Sequence, residues 1–491
     1  MKLLLIGVTT RALAESSATA GCAFVSLDWF GDLDHSLLGP VFSPRRPLPG
    51  GAEHGRNKME CLVEWGCALA RQERSTPARA KSARAGGPVS TPARAKSTRA
   101  GGPVCDAVVY ASGLENRPEL LARLVTESGC RLYGNSPSIL QQVRDPVALS
   151  HHLRQAGFKA PETCRSDAAP LDGEREWLIK PVKSGGGHGI RPAILPLASR
   201  PASAEIPVAG ASPEAGASPE KRHVFQEYLS GTPGSFTFVA DGSNCLVLGI
   251  TEQLVAAKSC TGRDFGYGGN LFPWLGSDPK KLFETASAIA RSLTARYQLT
   301  GLNGVDFIWH DEDCWVIEVN PRYSASMELL ERAYEFPMIK LHLLACTGRW
   351  AEVERLVERL PVEGTLRRPE QIWGKQVIYT GTAARVRPVP VENVAPPSPA
   401  AGPIATHKKP AGEDGSPSSS GEDDDKPREA WAHALCALGL RDLPFPGDLI
   451  RARNPVATAI ASGPTRTSCL QELDKLTAVM RSQLLPVRRS D

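Results

Sequence analysis

Between Gly304 and Arg322 the chain reads GVDFIWHDEDCWVIEVNPR, two apolar runs around a polar turn, each run carrying one carboxylate, Asp306 or Glu318. Taken as an antiparallel hairpin, the stretch has one register that sorts its side chains. An odd loop pairing His310 with Cys314 sets Val305 opposite Val319, Phe307 opposite Ile317 and Trp309 opposite Trp315, a wholly apolar face. The other face pairs Gly304 with Asn320, Asp306 with Glu318 and Ile308 with Val316, and a slip of one residue would mix the two. This commits the region to antiparallel structure with one buried face, and it opposes two like charges about 5 Å apart at Cβ, where they destabilise a sheet. Two resolutions are open. A divalent cation such as Mg2+ takes one or two carboxylates with phosphate oxygens and water, and Asn320 on the same face adds a carbonyl oxygen. Alternatively, one acid is protonated or capped by an Arg or Lys. If the repulsion stands alone, Glu318→Gln leaves the fold slightly more stable without metal.

A second constellation lies upstream, in WLIKPVKSGGGHGI. Lys180 ends an apolar strand, and Lys183, Ser184, Gly185, Gly186, Gly187, His188 and Gly189 follow. Consecutive glycines let a backbone approach a ligand closely and turn N–H groups toward one point, which suits phosphate oxygens, with the lysines supplying charge. The bland counterpart is a Gly-rich turn with two solvated lysines. His188 reads as a loop residue rather than a general base. A third stretch, HVFQEYLSGTPGSF, is a strand carrying Gln226 and Glu227 that runs through Tyr228 and Leu229 into a Gly/Pro turn.

The rest of the 491-residue chain is too long for one core and calls for several domains. KLLLIGV, a helix at TTRALAESSATAG, and AFVSLDWF form a βαβ opening of a parallel sheet, continued by CDAVVYASG. Strands and helices then alternate in an α+β pattern, with one helix expected through SPSILQQVRDPVALSHHLRQAGF and another from about Pro279 to Tyr297. Near the C-terminus, DLPFPGDLIRARNPVATAIASG reads as two strands around a polar turn, and a helix begins near Thr465. A tandem duplication, STPARAKSARAGGPV and STPARAKSTRAGGPV, has no apolar period and reads as an insertion, as do the twice-repeated AGASPE and the biased tract at 391–428. A net charge of +4 argues against a nucleic-acid partner, and no run reaches the roughly 18 apolar residues of a membrane span. The 12 scattered cysteines form neither a disulfide framework nor a zinc pattern, so the expected location is cytoplasmic.

In this order, IKP with its Gly-rich loop, QEYLSG, and GVDF followed by IEVNPR resemble the ATP-grasp superfamily, specifically its carboxylate–amine ligases and predicted carboligases related to biotin carboxylase. The resemblance covers roughly residues 136–350. It implies an α/β and α+β multidomain fold: a Rossmann-like pre-ATP-grasp domain at 1–135 with an insertion at 75–104; a first ATP-grasp subdomain at 136–222 with an insertion at about 195–221; a second at 223–350 with the hairpin; and a small C-terminal closing subdomain at 351–390 and 429–491, whose two strands resemble a closing hairpin, with a linker at 391–428. It implies ATP and Mg2+ (or Mn2+) as cofactors. Lys180 would contact the α- and β-phosphates, Lys183 and the loop Ser184–Gly189 would fold over the phosphates, and Gln226, Glu227, Tyr228 and Leu229 would frame the adenine. Asp306, Glu318 and Asn320 would hold the metal, and Arg322 would face the transferred phosphoryl group or a substrate carboxylate. The implied activity joins a small-molecule carboxylate, activated as an acyl phosphate, to an amine; the alternative is a diverged ATP-binding regulatory or scaffold protein. A homodimer is compatible with it. The chain departs from the pattern at Arg144-Asp145-Pro146, where members commonly carry a nucleotide-contacting Lys, and GTPGSF holds no acidic ribose ligand. RDFGYGGNLFP at 263–273 is either a substrate loop or an ordinary surface loop.

Overall fold

The computed structural model describes residues 1–45, 58–74, 105–165, 175–193, 223–360, 369–387 and 422–487. The duplicated units at 75–104 and the tract at 195–221 lie outside these residues.

The N-terminal strands β1 (Lys2–Gly7), β2 (Ala23–Asp28), β3 (Val41–Phe42), β4 (Ala107–Tyr110) and β5 (Arg131–Leu132) form a parallel sheet in the order β3-β2-β1-β4-β5. Leu3 and Leu5 of β1 enter one core cluster and Leu4 and Ile6 another. A strand covered on both faces has no polar side to show, so KLLLIG is continuously apolar.

The helix expected through 136–158 is two, Pro137–Val143 and Pro146–Gln155. Pro146 disfavours helical backbone at the residue before it, and Asp145 stays extended as an N-cap whose Oδ1 accepts from the amides of Val147 and Ala148. The break leaves Arg144 at a corner, aimed away from both helices into the site described below.

Strands β6 (Thr163–Arg165), β7 (Trp177–Pro181), β8 (Arg191–Pro192) and β9 (His223–Glu227) form a small antiparallel sheet, ordered β6-β9-β7-β8. A larger sheet holds β10 (Thr232–Asp241), β11 (Cys245–Val255), β12 (Tyr267–Phe272), β13 (Thr300–His310), β14 (Asp313–Asn320) and β15 (Ile372–Tyr379). Beyond them come β16 (Ala384–Val386), β17 (Leu440–Arg441), β18 (Leu449–Ile450), β19 (Pro455–Gly463) and β20 (Leu484–Pro486). The helix Pro279–Tyr297 begins with an Asp278 cap and lays Leu282, Ala286, Ile289, Ala290 and Leu293 onto Phe236, Phe238, Val305 and Phe307 of the large sheet. Each such aromatic, taken fully from water, contributes about 1.5–3 kcal/mol.

Two C-terminal expectations are corrected. The large sheet runs β14-β13-β10-β11-β12-β15-β19-β17, so β15, β17 and β19 extend it. β18 pairs with β16 in a separate three-stranded sheet while β19 pairs with β15, so the two strands expected as a closing hairpin do not pair with each other. Arg453 at φ 66 in the intervening segment turns the chain from one sheet to the other. The tract at 391–428 is also shorter as a linker than expected, because a helix begins at Glu422 and runs to Leu438. Thr465 does cap the last helix, Arg466–Ser482, accepting from the Ser468 amide.

Candidate functional site

The hairpin keeps the predicted register at one end only. Gly304 faces Asn320, Val305 faces Val319 and Asp306 faces Glu318, but Phe307 faces Val316, Ile308 faces Trp315 and Trp309 faces Cys314. The loop is even: Asp311 and Glu312, at φ 47 and 60, make a two-residue turn between paired His310 and Asp313. A bulge at Ile317 then restores the parity that puts Val305, Phe307, Trp309, Cys314, Val316 and Val319 in one core cluster. Trp315, expected inside, lies on the other face against the His310 ring, with the Lys159 ammonium over it. Positive φ at Glu is uncommon, so nothing in the turn's residue types announced it.

The acid pair is therefore present, and its two members are treated differently. Glu318 Oε1 accepts from Arg144 Nη1 at 2.8 Å. Burial pulls upward on the Glu318 carboxyl, but Arg144 and Lys180 outweigh it and hold it below the ordinary range. Asp306 accepts from Gln253 Nε2 at 2.9 Å and Asn320 Nδ2 at 3.0 Å, and it has no ion-pair partner among the described residues. Burial, with Glu318 opposite, pushes Asp306 up to about 6. Of the two resolutions open from sequence, a capping Arg is thus realised at Glu318 and left undone at Asp306.

Lys180, 9% exposed, donates from Nζ to Gln226 Oε1 at 2.9 Å, and burial lowers its pKa despite the nearby carboxylates. Gln226 is buried and also donates to Thr163 Oγ1, so its side chain serves Lys180 rather than facing outward from the strand. Glu227 accepts from the Glu162 amide, Leu229 is half-buried, and Tyr228 is exposed with its ring edge-on to Phe265. Lys183 and His188 are exposed in the glycine loop, where burial and then Arg263 lower the His188 pKa. Gly185 and Gly189 are exposed there too, and Gly186 accepts through its carbonyl from the Tyr267 amide. Gly187, at φ 75, lies so close to Phe265 that a Cβ there would sit 1.7 Å from the Phe265 carbonyl oxygen. The segment 263–267 is thus packed under the glycine loop.

Arg322 is held by Glu115 Oε1 at 2.8 Å from its Nε, by the Tyr323 carbonyl, and by Asn320 Oδ1 at 3.3 Å. Arg144 also donates to the Val319 and Ser184 carbonyls and to Asn116 Oδ1. The structure so gathers Lys180, Ser184, Asp306, Glu318, Asn320 and Arg322 around the acid pair. It adds Glu115, Asn116, Arg144 and Gln253, which sequence reasoning did not assign. The one available signal for Glu115 and Asn116 was position: GLEN follows β4 at the carboxyl ends of a parallel sheet, where such sheets bind ligands.

A donor set of two carboxylates and an amide oxygen fits a hard cation that keeps water and phosphate oxygens as its other ligands. No cluster of three or more His, Cys, Asp or Glu suited to a metal occurs among the described residues. The under-compensated Asp306 is the observation that favours a cation here.

A small antiparallel sheet with a Lys/Gly-rich loop is set beside a larger sheet carrying opposed acids. Residues 143–326 match the family described as ATP-grasp domain. Over 126 residues, 26% of this chain and 11% of the relative, it is 29% identical to the carbamoyl phosphate synthase large chain of Clostridium acetobutylicum. It spans less than half the length of the curated relatives it matches. Among solved structures it is similar to the biotin carboxylase domain of Hydrogenobacter thermophilus 2-oxoglutarate carboxylase in complex with MgADP and bicarbonate, at TM-score 0.57 and 13% identity, covering 99% of this chain and 90% of that one. It is also similar to the L-amino acid ligase of Bacillus licheniformis, at TM-score 0.54 and 11% identity, covering 99% and 98%. Likeness at that identity shows the fold. No helix among the described residues is long and apolar enough to cross a membrane.

Proposed function

We propose that the chain is an ATP-dependent ligase that activates a small-molecule carboxylate and joins it to an amine or similar nucleophile. The observation that carries this reading is the opposed pair Asp306 and Glu318, backed by Lys180 and reached by the glycine loop through the Ser184 carbonyl bound to Arg144. A carboxylate oxygen attacks the γ-phosphorus of ATP, the bond to ADP breaks, and an acyl phosphate forms. The nucleophile then adds to the acyl carbon, phosphate leaves, and the amine loses its proton to solvent. Lys180 and the loop 184–189 bind the phosphates, Arg322 neutralises charge on the reacting carboxylate or phosphoryl group, and no covalent protein intermediate is needed. Asp306, Glu318 and Asn320 would hold Mg2+ (or Mn2+), which supplies charge neutralisation on the phosphates when bound. Residues 226–229 frame the adenine through backbone groups, since the Gln226 side chain is committed to Lys180. The test is ADP release from Mg-ATP with pools of carboxylates and amines; folded protein that releases none in response to any pool defeats the reading.

One observation favours a second reading, an ATP-binding regulatory protein without turnover: Arg144 already pairs with Glu318 at Oε1, an acid that would hold the metal. Calorimetry separates the two, because Mg-ATP binding with no turnover across a broad substrate screen supports the regulatory reading.

A further inference from the structure

The two guanidiniums that flank the acid pair are both held by one short turn of the N-terminal sheet. The turn, Leu114–Asn116, follows β4 beside β1, where the order β2-β1-β4 reverses the winding of the sheet. Glu115 in this turn is 3% exposed. One of its carboxylate oxygens accepts from Arg322 Nε at 2.8 Å and the other from the Gly113 amide, so its orientation is fixed by its own backbone. The adjacent Asn116 accepts from Arg144 Nη2 at 2.9 Å, and Arg144 bridges to Glu318 and to the Ser184 carbonyl. The chain of contacts continues from Arg322 to Asn320 Oδ1, and from Asn320 Nδ2 to Asp306.

Arg322 sits two residues beyond Asn320 and four beyond Glu318, within the field of both carboxylates. Arg144 already neutralises Glu318. A second guanidinium released onto Asp306 would complete the compensation of the pair and leave nothing to attract a divalent cation. Glu115 is the counter-charge that prevents this.

We propose that Glu115 is a positioning residue: by pairing with Arg322 it keeps that guanidinium off Asp306 and Glu318, leaving the acid pair free for a divalent cation beside bound nucleotide. The proposal rests on the ligase reading for the identity of the nucleotide. Its consequence is that the N-terminal domain contributes to the phosphate site through a residue that touches no phosphate, with Asn116 doing the same for Arg144.

The experiment is calorimetric titration of the full chain with Mn2+ and ATP, using wild type, Glu115→Ala, Glu115→Gln, Arg322→Ala and the double variant Glu115→Ala/Arg322→Ala. Groups that orient metal ligands typically shift metal affinity by 10-fold or more, so Glu115→Ala is expected to weaken Mn-ATP binding about 10-fold. Glu115→Gln, which keeps one acceptor oxygen but loses the charge and the second acceptor, falls between it and wild type. The double variant returns to within about threefold of Arg322→Ala, because no freed guanidinium remains, and this non-additivity is the signature that a merely structural role would lack. If the double variant stays about tenfold below Arg322→Ala, or if Glu115→Ala changes only the melting temperature, the proposal is overturned while the ligase reading stands. Wild type that binds no Mn-ATP overturns both.

Discussion

Two ionic clusters lie in this molecule, built from the same residue types and resolved in opposite ways. At the junction of the N-terminal sheet, the large sheet and the C-terminal segment, Arg11 is 1% exposed and donates to Glu328 at 2.5 Å, Asp442 at 2.9 Å and Glu15 at 2.9 Å. Lys375 closes on the other Glu328 oxygen at 2.6 Å. Burial alone would raise the Glu328 carboxyl, but Arg11 and Lys375 hold it well below the ordinary range. Asp306 has neutral partners instead and is pushed up to about 6. A carboxylate with a cation on each oxygen is a clasp; one left with amide donors opposite another acid is a site waiting for charge. The contrast locates function by compensation rather than by residue type.

The largest expected effect comes from breaking the clasp. Arg11→Met leaves Glu328 with one cation and Asp442 without its nearest one, and removing one member of a buried ion pair costs about 3–5 kcal/mol. Urea unfolding at neutral pH measures it. A loss below about 1 kcal/mol would mean that the cluster relaxes or hydrates, and would remove the contrast with the acid pair.

Glu318→Gln has its main effect on chemistry. ATP turnover should fall at least about 100-fold, as when a group preorganised for transition-state charge is lost. Its effect on stability is smaller, and the structure changes its sign. Repulsion between opposed acids predicts a slight gain, but Arg144 at 2.8 Å makes Glu318 a partner. Arg144 retains the Val319, Ser184 and Asn116 acceptors, so the expected loss is about 1 kcal/mol, measured in metal-free buffer. A gain would show that the Asp306 repulsion outweighs the Arg144 pair.

That reversal marks what the sequence could carry. Apolar alternation and glycine spacing are local, so the parallel sheet, the glycine loop and the opposed acids were legible in them. Arg144 and Glu318 are 174 positions apart, and Arg322 and Glu115 are 207 apart. No local period encodes such pairs; they depend on a helix break at Asp145 and on the turn after β4. The hairpin's far end was misread because the even turn and the Ile317 bulge cancel in parity, leaving the acid pair where an odd loop would also put it. The C-terminal strands share an apolar pattern whether they pair with each other or with distant strands, so only the structure distinguishes the two.

Asp306 and Glu328 should also respond to pH with opposite signs. Asp306 has a folded pKa raised to about 6, so between its ordinary 3.8 and 6 the folded state holds more protons than the unfolded one. Its contribution to stability is most favourable at low pH and declines as pH rises through that window. Glu328, held low, contributes stability above its unfolded pKa that is lost as pH falls. In metal-free buffer at pH 7, Asp306→Asn is therefore expected to stabilise the protein by about 1–2 kcal/mol, less than the full shift because the amide cannot accept every hydrogen bond the carboxylate did. Glu328→Gln should destabilise under the same conditions. Urea midpoints at pH 4, 5.5 and 7 give both slopes, and parallel slopes would mean that Asp306 is compensated after all.

The smallest effect tests whether short distance alone makes a clasp. Arg466 donates to Glu252 at 2.6 Å, as short as the Lys375–Glu328 pair, and ties the last helix to β11. The Arg466 side chain is 48% exposed, whereas that of Lys375 is 6% exposed. Water screens the exposed pair and its long side chain loses entropy on being held, so Arg466→Ala is expected to cost less than about 0.5 kcal/mol. Arg11→Met costs several times more because no water replaces the lost partner. If Arg466→Ala approached the Arg11 value, burial would not be what separates the interactions, and Asp306 could no longer be singled out by its missing cation.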